Sequence, residues 1–339
     1  MPLLTVAKAF QKKYKNLQIL YLGSGNALEK QLVQGTGFEY YAISTGKLRR
    51  YFSWENVRDF FRFFQGIRDA SKIIKKTQPK LVFSKGGYVS LPVCLAAYWQ
   101  KIPIILHESD SVMGLANSLI SRIAKRICMS FDLKPQKSKY KYLLTGSPVR
   151  PELLKGQPKK IAQKLGFNLK KPVLLIMGGS QGAQFLNELV YDALDQLLTQ
   201  FQIIHICGQG KRKLLKKIGY ANFEYVTDEL ADYYALADLI VSRAGANALA
   251  EISALQKPNL IIPLPTSANN HQQKNAEYFA QHKASLLLEQ KNLTAEKFLA
   301  TILNLWQNQT QQKEMQENLK KEYHPNALAE IVKILSLEL

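Results

Sequence analysis

The chain has 339 residues, of which 46% are hydrophobic and 21% charged, a balance that excludes a disordered or low-complexity protein and leaves room for two full cores. Its net charge of +20 is lopsided: residues 1–150 hold 25 Lys and Arg against 8 Asp and Glu, and residues 151–339 hold 21 against 18. A basic half points to an anionic partner, whether nucleic acid, an acidic membrane surface or a phosphorylated substrate, or else serves solubility alone.

Helical spacing of apolar residues opens the chain at Pro2–Phe10, before any strand. A doubly wound domain ordinarily opens with a strand and a glycine loop, so either this domain begins with a helix or the chain starts downstream of a natural beginning. Leu17–Leu22 is the first strand-like run, followed by the turn Ser24-Gly25-Asn26, a helix over Ala27–Gln34 and a strand over 38–44. Gly23-Ser24-Gly25 lacks the third glycine of a dinucleotide fingerprint and reads as a turn. Residues 47–76 interleave Tyr51, Phe52, Trp54, Phe60, Phe61, Phe63 and Phe64 with Arg49, Arg50, Arg58, Arg62 and Arg68. Such a helix suits an anionic membrane surface, with rings at headgroup level and guanidinium groups on phosphate. Packing of about half those rings on a sheet is the plainer reading, and the regular α/β alternation argues against nucleic acid.

Lys80–Ser84 and Ile102–Leu106 are the next strands, leading into the loops Lys85-Gly86-Gly87-Tyr88-Val89-Ser90 and His107-Glu108-Ser109-Asp110. The apolar run Tyr88–Trp99 contains Pro92 and is too short to cross a bilayer. A helix over Asn117–Arg126 and a strand over Tyr142–Leu144 close the half at Thr145–Arg150, and the polar, Lys-rich stretch Pro151–Lys171 reads as a linker. Cys94, Cys128 and Cys207 lie far apart and spell neither a disulfide framework nor a zinc site, which favours a reducing cytoplasm.

The second half repeats the pattern. A strand at Pro172–Met177 feeds the loop Gly178-Gly179-Ser180-Gln181-Gly182-Ala183 and a helix over Phe185–Gln200. Glycines there let the backbone approach a ligand, and free N–H groups at a helix start bind a diphosphate. Strands follow at Phe201–Ile206 and Phe223–Val226, then the loop Thr227–Leu230 and a helix over Ala231–Ala237. Leu239–Val241 meets the small-residue turn Arg243-Ala244-Gly245-Ala246 and a helix from Asn247 that carries Glu251. A further strand, Asn259–Pro263, leads to the loop Pro265–Asn270 and the cluster His271-Gln272-Gln273, and the tail from Leu293 is helical. Two α/β halves, the second presenting several ligand loops on one edge, describe a two-lobed nucleotide-sugar transferase.

Taken together, Gly86–Ser90, His107-Glu108, Gly114-Leu115-Ala116-Asn117, Gly146–Arg150, Gly178–Ala183, Ser242–Glu251, and His271-Gln272 with Asn275-Ala276 closely resemble the MurG family of peptidoglycan glycosyltransferases. The resemblance covers nearly the whole chain in order. It implies the GT-B fold, two Rossmann-like doubly wound domains facing a cleft: an acceptor and membrane-facing domain over 1–150, a donor domain over 151–325, and a last helix, 326–339, that packs back on the first. It implies inverting transfer of N-acetylglucosamine from UDP-N-acetylglucosamine to undecaprenyl-diphosphate-linked muramyl pentapeptide, without cofactor or metal, at the cytoplasmic face of the cell membrane, with an anionic membrane surface as partner and no nucleic acid.

By the same resemblance, Ser180 with Gln181 and Gly182 contacts the donor diphosphate, Arg150 lies at the cleft near the donor, and Thr227 sits by the uracil. Arg243, Gly245, Ala246, Asn247, Ala248, Leu249, Ala250 and Glu251 line the ribose and uracil pocket, with Glu251 on the ribose hydroxyls, and Gln272 touches the sugar. Tyr88, Asp110 and Asn117 belong to the acceptor side, and His107 is the candidate catalytic base. Two departures stand out. The family opens with a strand and a Gly-Gly-Thr-Gly-Gly-His loop, whose histidine is its usual base, ahead of the helix matching Pro2–Phe10; and it usually has Asn where this chain has Asp110. Alternatives stay open: another UDP-sugar transferase or epimerase of the same fold, or a non-catalytic UDP-sugar-binding protein that docks on membranes.

Overall fold

The computed structural model describes residues 2–46, 54–132, 141–179 and 183–339. Backbone contacts divide the chain into two compact units, Met1–Pro148 with Asn326–Leu339, and Val149–Pro325. In the first unit the elements are α1 (Pro2–Lys13), β1 (Leu20–Gly23), α2 (Ala27–Gln34), β2 (Glu39–Ala42), α3 (Trp54–Thr77), β3 (Val82–Ser84), α4 (Ser90–Trp99), β4 (Ile104–Glu108), α5 (Leu115–Ile123), β5 (Arg126–Met129) and β6 (Tyr142–Leu144). Its strands are parallel and form a pair, β1-β2, and a four-stranded sheet, β3-β4-β5-β6. Every residue of β4 is buried, as expected of a parallel strand with helices on both faces.

The second unit begins with a 3-10 turn at Pro151–Lys155 and α6 (Pro158–Leu165), so the stretch expected to be a linker is ordered. Proline at the first position of α6 costs no hydrogen bond, and Gly166 closes the helix in the left-handed conformation, φ 67°. There follow β7 (Val173–Met177), α7 (Gln184–Asp192), α8 (Leu194–Gln200), β8 (Gln202–Ile206), β9 (Tyr220–Phe223), α9 (Leu230–Leu236), β10 (Leu239–Ser242), α10 (Ala246–Leu255), β11 (Asn259–Ile261), α11 (His271–Gln281), β12 (Leu286–Leu287), α12 (Ala295–Gln307) and α13 (Gln309–Glu322). The last helix, α14 (Ala327–Ser336), belongs to the first unit, where Ile331, Val332 and Leu335 share a core with Val6 and Phe10 of α1.

The six strands of the second unit are parallel in the order β12-β11-β10-β7-β8-β9. Counted within the unit and read from β9, that is 3-2-1-4-5-6, the dinucleotide-fold order whose switch point lies between its first and fourth strands. The switch point therefore falls between β7 and β10. Ligands of such sheets bind outside the carboxyl ends of the strands there, which marks the loops after Met177 and Ser242.

Three elements differ from expectation. The helix foreseen over Asn117–Arg126 ends at Ile123, and Arg126 opens a strand; the helix foreseen over Phe185–Gln200 is interrupted at Ala193, φ −93° and ψ 0°; and the strand foreseen at Phe223–Val226 lies at Tyr220–Phe223.

Candidate active site

At the switch point, β10 delivers the chain to a turn that ends at Gly245, φ −73° and ψ 136°, from which α10 starts without a side-chain cap. A helix start without a side-chain cap is a place where an anion is favoured. Among the described residues, no atom lies within 4 Å of where a side chain on Gly245 would begin. Asn275 of α11, fully buried, holds this turn by donating from Nδ2 to the Ala244 carbonyl at 3.2 Å. Gly179 on the neighbouring loop has φ 85°, a conformation that favours glycine. The loop residues Ser180, Gln181 and Gly182 lie outside the described residues.

Glu251 stands on the second turn of α10. Its Oε2 accepts from the Tyr234 hydroxyl at 2.9 Å, and Oε1 lies 3.6 Å from Nη2 of Arg150. Its side chain is 20% exposed and that of Arg150 is 25% exposed, so both are part-buried yet reachable. Burial raises the Glu251 pKa, while the Tyr234 hydrogen bond and the Arg150 charge hold it down. Tyr234 is fully buried and its own pKa is pushed well above 10, by burial first and by the Glu251 charge second. It is a fixed donor that aims the carboxylate. Arg150 Nε is buried without a partner among the described residues.

The remaining residues divide by exposure. Asn247 and Thr227 are exposed, and Ala248 and Ala250 half-buried. Ala246 is buried, and Leu249 is fully buried, so the Leu249 side chain packs in the core and can meet no ligand. Arg243 is also buried: Nη1 donates to the Ile262 and Pro263 carbonyls at 3.0 and 3.2 Å, and burial lowers its pKa to about 10. It straps the ends of β10 and β11 together, which is a positioning role. Gln272 accepts from the Leu264 N–H through Oε1 at 3.0 Å, which leaves its amide NH2 as the donor.

In the first unit, the carboxyl ends of β3 and β4 gather a second polar cluster. Glu108, 2% exposed, accepts from Asn117 Nδ2 at 2.7 Å and from the Asp110 N–H at 2.9 Å. Burial raises its pKa against those bonds, and the Asp110 charge adds to the rise. Gly86 has φ 80°, and a Cβ there would sit 1.5 Å from Asn117 Oδ1, so glycine is required twice over. Tyr88 is exposed on the same loop. Lys85 beside it has a pKa lowered to about 8 by burial, against the attraction of Asp110 and Glu108.

His107 lies beneath this cluster with no exposed surface. Nε2 is 3.1 Å from the Gly146 carbonyl, which can only accept, so the ring carries its proton there. Burial, and then the Lys85 charge, lowers its pKa to about 3. A ring so enclosed and so weakly basic supports the loop at Gly146. It does not reach a substrate hydroxyl, which corrects its expected place as base. Sequence reasoning also passed over Tyr234, Asn275 and Lys85 as site residues. Lys85 adjoins the glycine pair and was within reach of the sequence, whereas Tyr234 meets Glu251 only because the fold brings a residue of α9 within hydrogen-bond distance of one on α10.

Comparison with known proteins bears on both units. Residues 1–129 match the glycosyltransferase family 28 N-terminal domain, and residues 173–331 match the family 28 C-terminal domain. The UDP-N-acetylglucosamine--N-acetylmuramyl-(pentapeptide) pyrophosphoryl-undecaprenol N-acetylglucosamine transferase of Clostridium tetani is 41% identical over 94% of this chain and 89% of its own length. A Bacillus cereus protein of the same name, numbered 2, is 42% identical over 91% and 88%. Among solved structures, Acinetobacter baumannii MurG superposes with a TM-score of 0.74 at 27% identity, covering 99% of this chain and 95% of that one. The UDP-GlcNAc 2-epimerase of Neisseria meningitidis shares the fold, with a TM-score of 0.71 at 12% identity over 99% and 98%.

Proposed function

Because the chain belongs to glycosyltransferase family 28, we propose that it transfers N-acetylglucosamine from UDP-N-acetylglucosamine to undecaprenyl-diphosphate-linked muramyl pentapeptide, the reaction its relatives are named for. The observation that carries this reading is the Glu251 carboxylate, aimed by Tyr234 and Arg150 beside an uncapped helix start at the switch point. A ribose offers two adjacent hydroxyl donors to such a carboxylate, and hydrogen bonds to a charged acceptor are the strong kind.

In the reaction the acceptor hydroxyl oxygen bonds to C1 of the sugar as the bond from C1 to the diphosphate oxygen breaks, with inversion. The electron pair leaves on UDP, and the hydroxyl proton passes to a base. Charge developing on the diphosphate meets the positive end of α10 and the Arg150 guanidinium, and preorganised groups of this kind lower the barrier. The loop after β7, with Ser180, Gln181 and Gly182, completes that anion site, and Thr227 lies by the uracil. Gln272 offers its NH2 to a sugar hydroxyl. On the acceptor side, Tyr88, Asp110 and Asn117 contact the acceptor, with Glu108 fixing Asn117.

Membrane attachment belongs to the same reading, since the acceptor carries a lipid. Phe60, Phe61 and Phe64 of α3 are 60%, 67% and 52% exposed, whereas Phe63 packs against the core. The exposed rings touch edge to face and share the helix with the exposed Arg58, Arg62 and Arg68. The other aromatics of this stretch, Tyr51, Phe52 and the side chain of Trp54, lie outside the described residues, as do Arg49 and Arg50. No helix among the described residues is long and apolar enough to cross a membrane. In this reading the protein sits peripherally on the cytoplasmic face of the membrane that carries its acceptor, with the exposed rings of α3 in the headgroup layer.

The test is titration calorimetry with UDP-N-acetylglucosamine, paired with radiolabelled transfer to a lipid I analogue. Glu251→Gln is expected to weaken donor binding about tenfold to a hundredfold, the loss of charge-assisted hydrogen bonds. Unchanged donor affinity in the variant, or UDP-sugar binding without any transfer by the parent protein, overturns the reading.

A further inference from the structure

Residues 207–219 join β8 to β9 with neither helix nor strand, although the two strands are parallel neighbours. A parallel crossover usually runs through a helix, and a connection of this length without one tends to have a function of its own. It also concentrates the positive charge of its half. Lys211, Arg212, Lys213, Lys216 and Lys217 lie in it with no acidic residue, whereas the rest of 151–339 holds 16 Lys and Arg against 18 Asp and Glu.

The loop is held from beneath. Asn222 of β9, 5% exposed, accepts from Arg212 Nε at 2.9 Å through Oδ1 and donates from Nδ2 to the Lys213 carbonyl at 2.6 Å. The Tyr191 hydroxyl accepts from the Lys213 N–H at 3.2 Å, and Lys217 pairs with Asp195. These bonds fix a backbone that turns two aliphatic side chains outward, Leu214 at 82% exposed and Ile218 at 100%. Exposed aliphatics scattered singly are ordinary on a protein surface. Here two of them, four residues apart, stand on a fastened segment among five cations. The segment also ends away from the crevice. The Gly219 carbonyl accepts from the Ile203 N–H at 2.7 Å at the amino end of β8, so Ile218 lies at the opposite end of the sheet from the loops after Met177 and Ser242.

We propose that residues 211–218 are a membrane contact of the second unit, separate from α3, in which Leu214 and Ile218 enter the headgroup layer of an anionic bilayer while the lysines beside them lie on lipid phosphates. The side chains select that occupant. Protein interfaces are built on aromatic and arginine anchors and are poor in lysine, whereas this loop has four lysines, one arginine and no aromatic residue. Single-stranded nucleic acid needs rings on which bases stack, and the loop offers none. Lysines flanking short apolar side chains suit an anionic lipid surface, which attracts each cation and admits the aliphatic tips. A bilayer seated there leaves the carboxyl ends of the strands, and with them the crevice, open to a soluble donor.

The test places a reporter on the loop in the full chain. Leu214→Cys is labelled with a thiol-reactive, environment-sensitive dye, since Cys94, Cys128 and Cys207 are buried. With vesicles of phosphatidylglycerol and phosphatidylethanolamine, its emission is expected to shift to the blue and to be quenched by nitroxide lipids. Phosphatidylcholine vesicles, and polyglutamate as an acidic peptide, are expected to leave it unchanged. An unlabelled variant combines Lys213→Gln, Leu214→Ser, Lys216→Gln and Ile218→Ser, and spares Arg212 and Lys217, whose side chains fasten the loop. Its partition onto the anionic vesicles is expected to fall about tenfold, with melting temperature and donor affinity unaltered. An emission that ignores the anionic vesicles, an equal response to phosphatidylcholine or polyglutamate, or an unchanged partition overturns the proposal. The dye reports on the loop alone and no measurement involves transfer, so failure here leaves the transferase assignment and the α3 contact untouched.

Discussion

Glu251 is a carboxylate that burial makes reluctant to ionise and that Tyr234 and Arg150 return towards the charged form. Ribose hydroxyls donate to the ionised form, so donor binding strengthens as pH rises through the Glu251 pKa and weakens below it. Because that pKa is raised, the weakening starts at a higher pH than for an ordinary glutamate. Tyr234→Phe removes the 2.9 Å hydrogen bond that favours ionisation and raises the pKa further. Donor affinity measured by calorimetry is expected to fall by about 1 kcal/mol, roughly fivefold, at pH 6 and by less at pH 8. An equal loss at both values would show that the hydroxyl acts otherwise. Gly86→Ala is the counterpart in the first unit, since a Cβ there meets Asn117 Oδ1 at 1.5 Å from a left-handed backbone. Strain of about 1–3 kcal/mol at such a position predicts a fall of roughly tenfold to a hundredfold in kcat/KM for the acceptor. Donor affinity should stay within about twofold, because Gly86 and the Asn117 atoms its Cβ would meet all belong to the first unit. Glu251 was legible in the sequence as the carboxylate behind a small-residue turn. Tyr234 was not, since 17 residues separate it from its partner and only the tertiary fold joins them.

At the scale of elements, what was legible follows from how each segment is buried. The strands β7, β8 and β10 are buried at every residue and read as unbroken apolar runs, which parallel strands under two helical layers must do. Arg126 hid β5, because a strand that opens with a charged residue directly after a helix reads as the helix's last turn. Order in 151–171 was hidden by its lysines, although Pro158 and Gly166 stand where a helix start and stop belong. The histidine of β8 was passed over as an ordinary strand residue. His205 bridges α7, β8 and β9: Nδ1 lies 2.9 Å from the Tyr220 hydroxyl and Nε2 lies 3.0 Å from Asn187 Oδ1. Burial lowers its pKa from 6.5 to about 4. The unfolded chain therefore binds a proton below pH 6.5 that the folded one refuses, so stability is full above that value and is lost as pH falls towards 4. The groups facing the ring, Tyr220, Tyr191 and Cys207, have raised pKa values and stay neutral throughout that range. Chemical denaturation at pH 7 and pH 5 is expected to show the pH-dependent loss shrink by about 2 kcal/mol in His205→Gln relative to the parent protein. A variant whose profile parallels the parent's would place the acid sensitivity elsewhere.

For the molecule as a whole, charge and fold divide along the same line. Almost all of the +20 lies in residues 1–150, and the exposed rings of α3 lie there too, whereas residues 149–325 carry the crevice of the dinucleotide type. The sequence made the charge asymmetry and the aromatic helix visible. It did not separate Phe63 from its neighbours, because four rings within five residues go round the helix and only packing decides which one turns inward. Two forces would then hold the protein to a bilayer, apolar insertion by Phe60, Phe61 and Phe64 and attraction of Arg and Lys to anionic headgroups. They separate by experiment. Replacing the three rings with Ser removes large exposed apolar side chains, so the fold should stand and its melting temperature should hold or rise. Flotation with vesicles of phosphatidylglycerol and phosphatidylethanolamine is expected to bring the parent protein to the top at low salt, less of it at high salt, and the triple variant hardly at all. The electrostatic part acts within about 8–10 Å at physiological salt, so the salt dependence should remain in whatever binding the variant retains. Flotation that ignores the anionic lipid, or that survives loss of all three rings, would move the membrane contact away from α3.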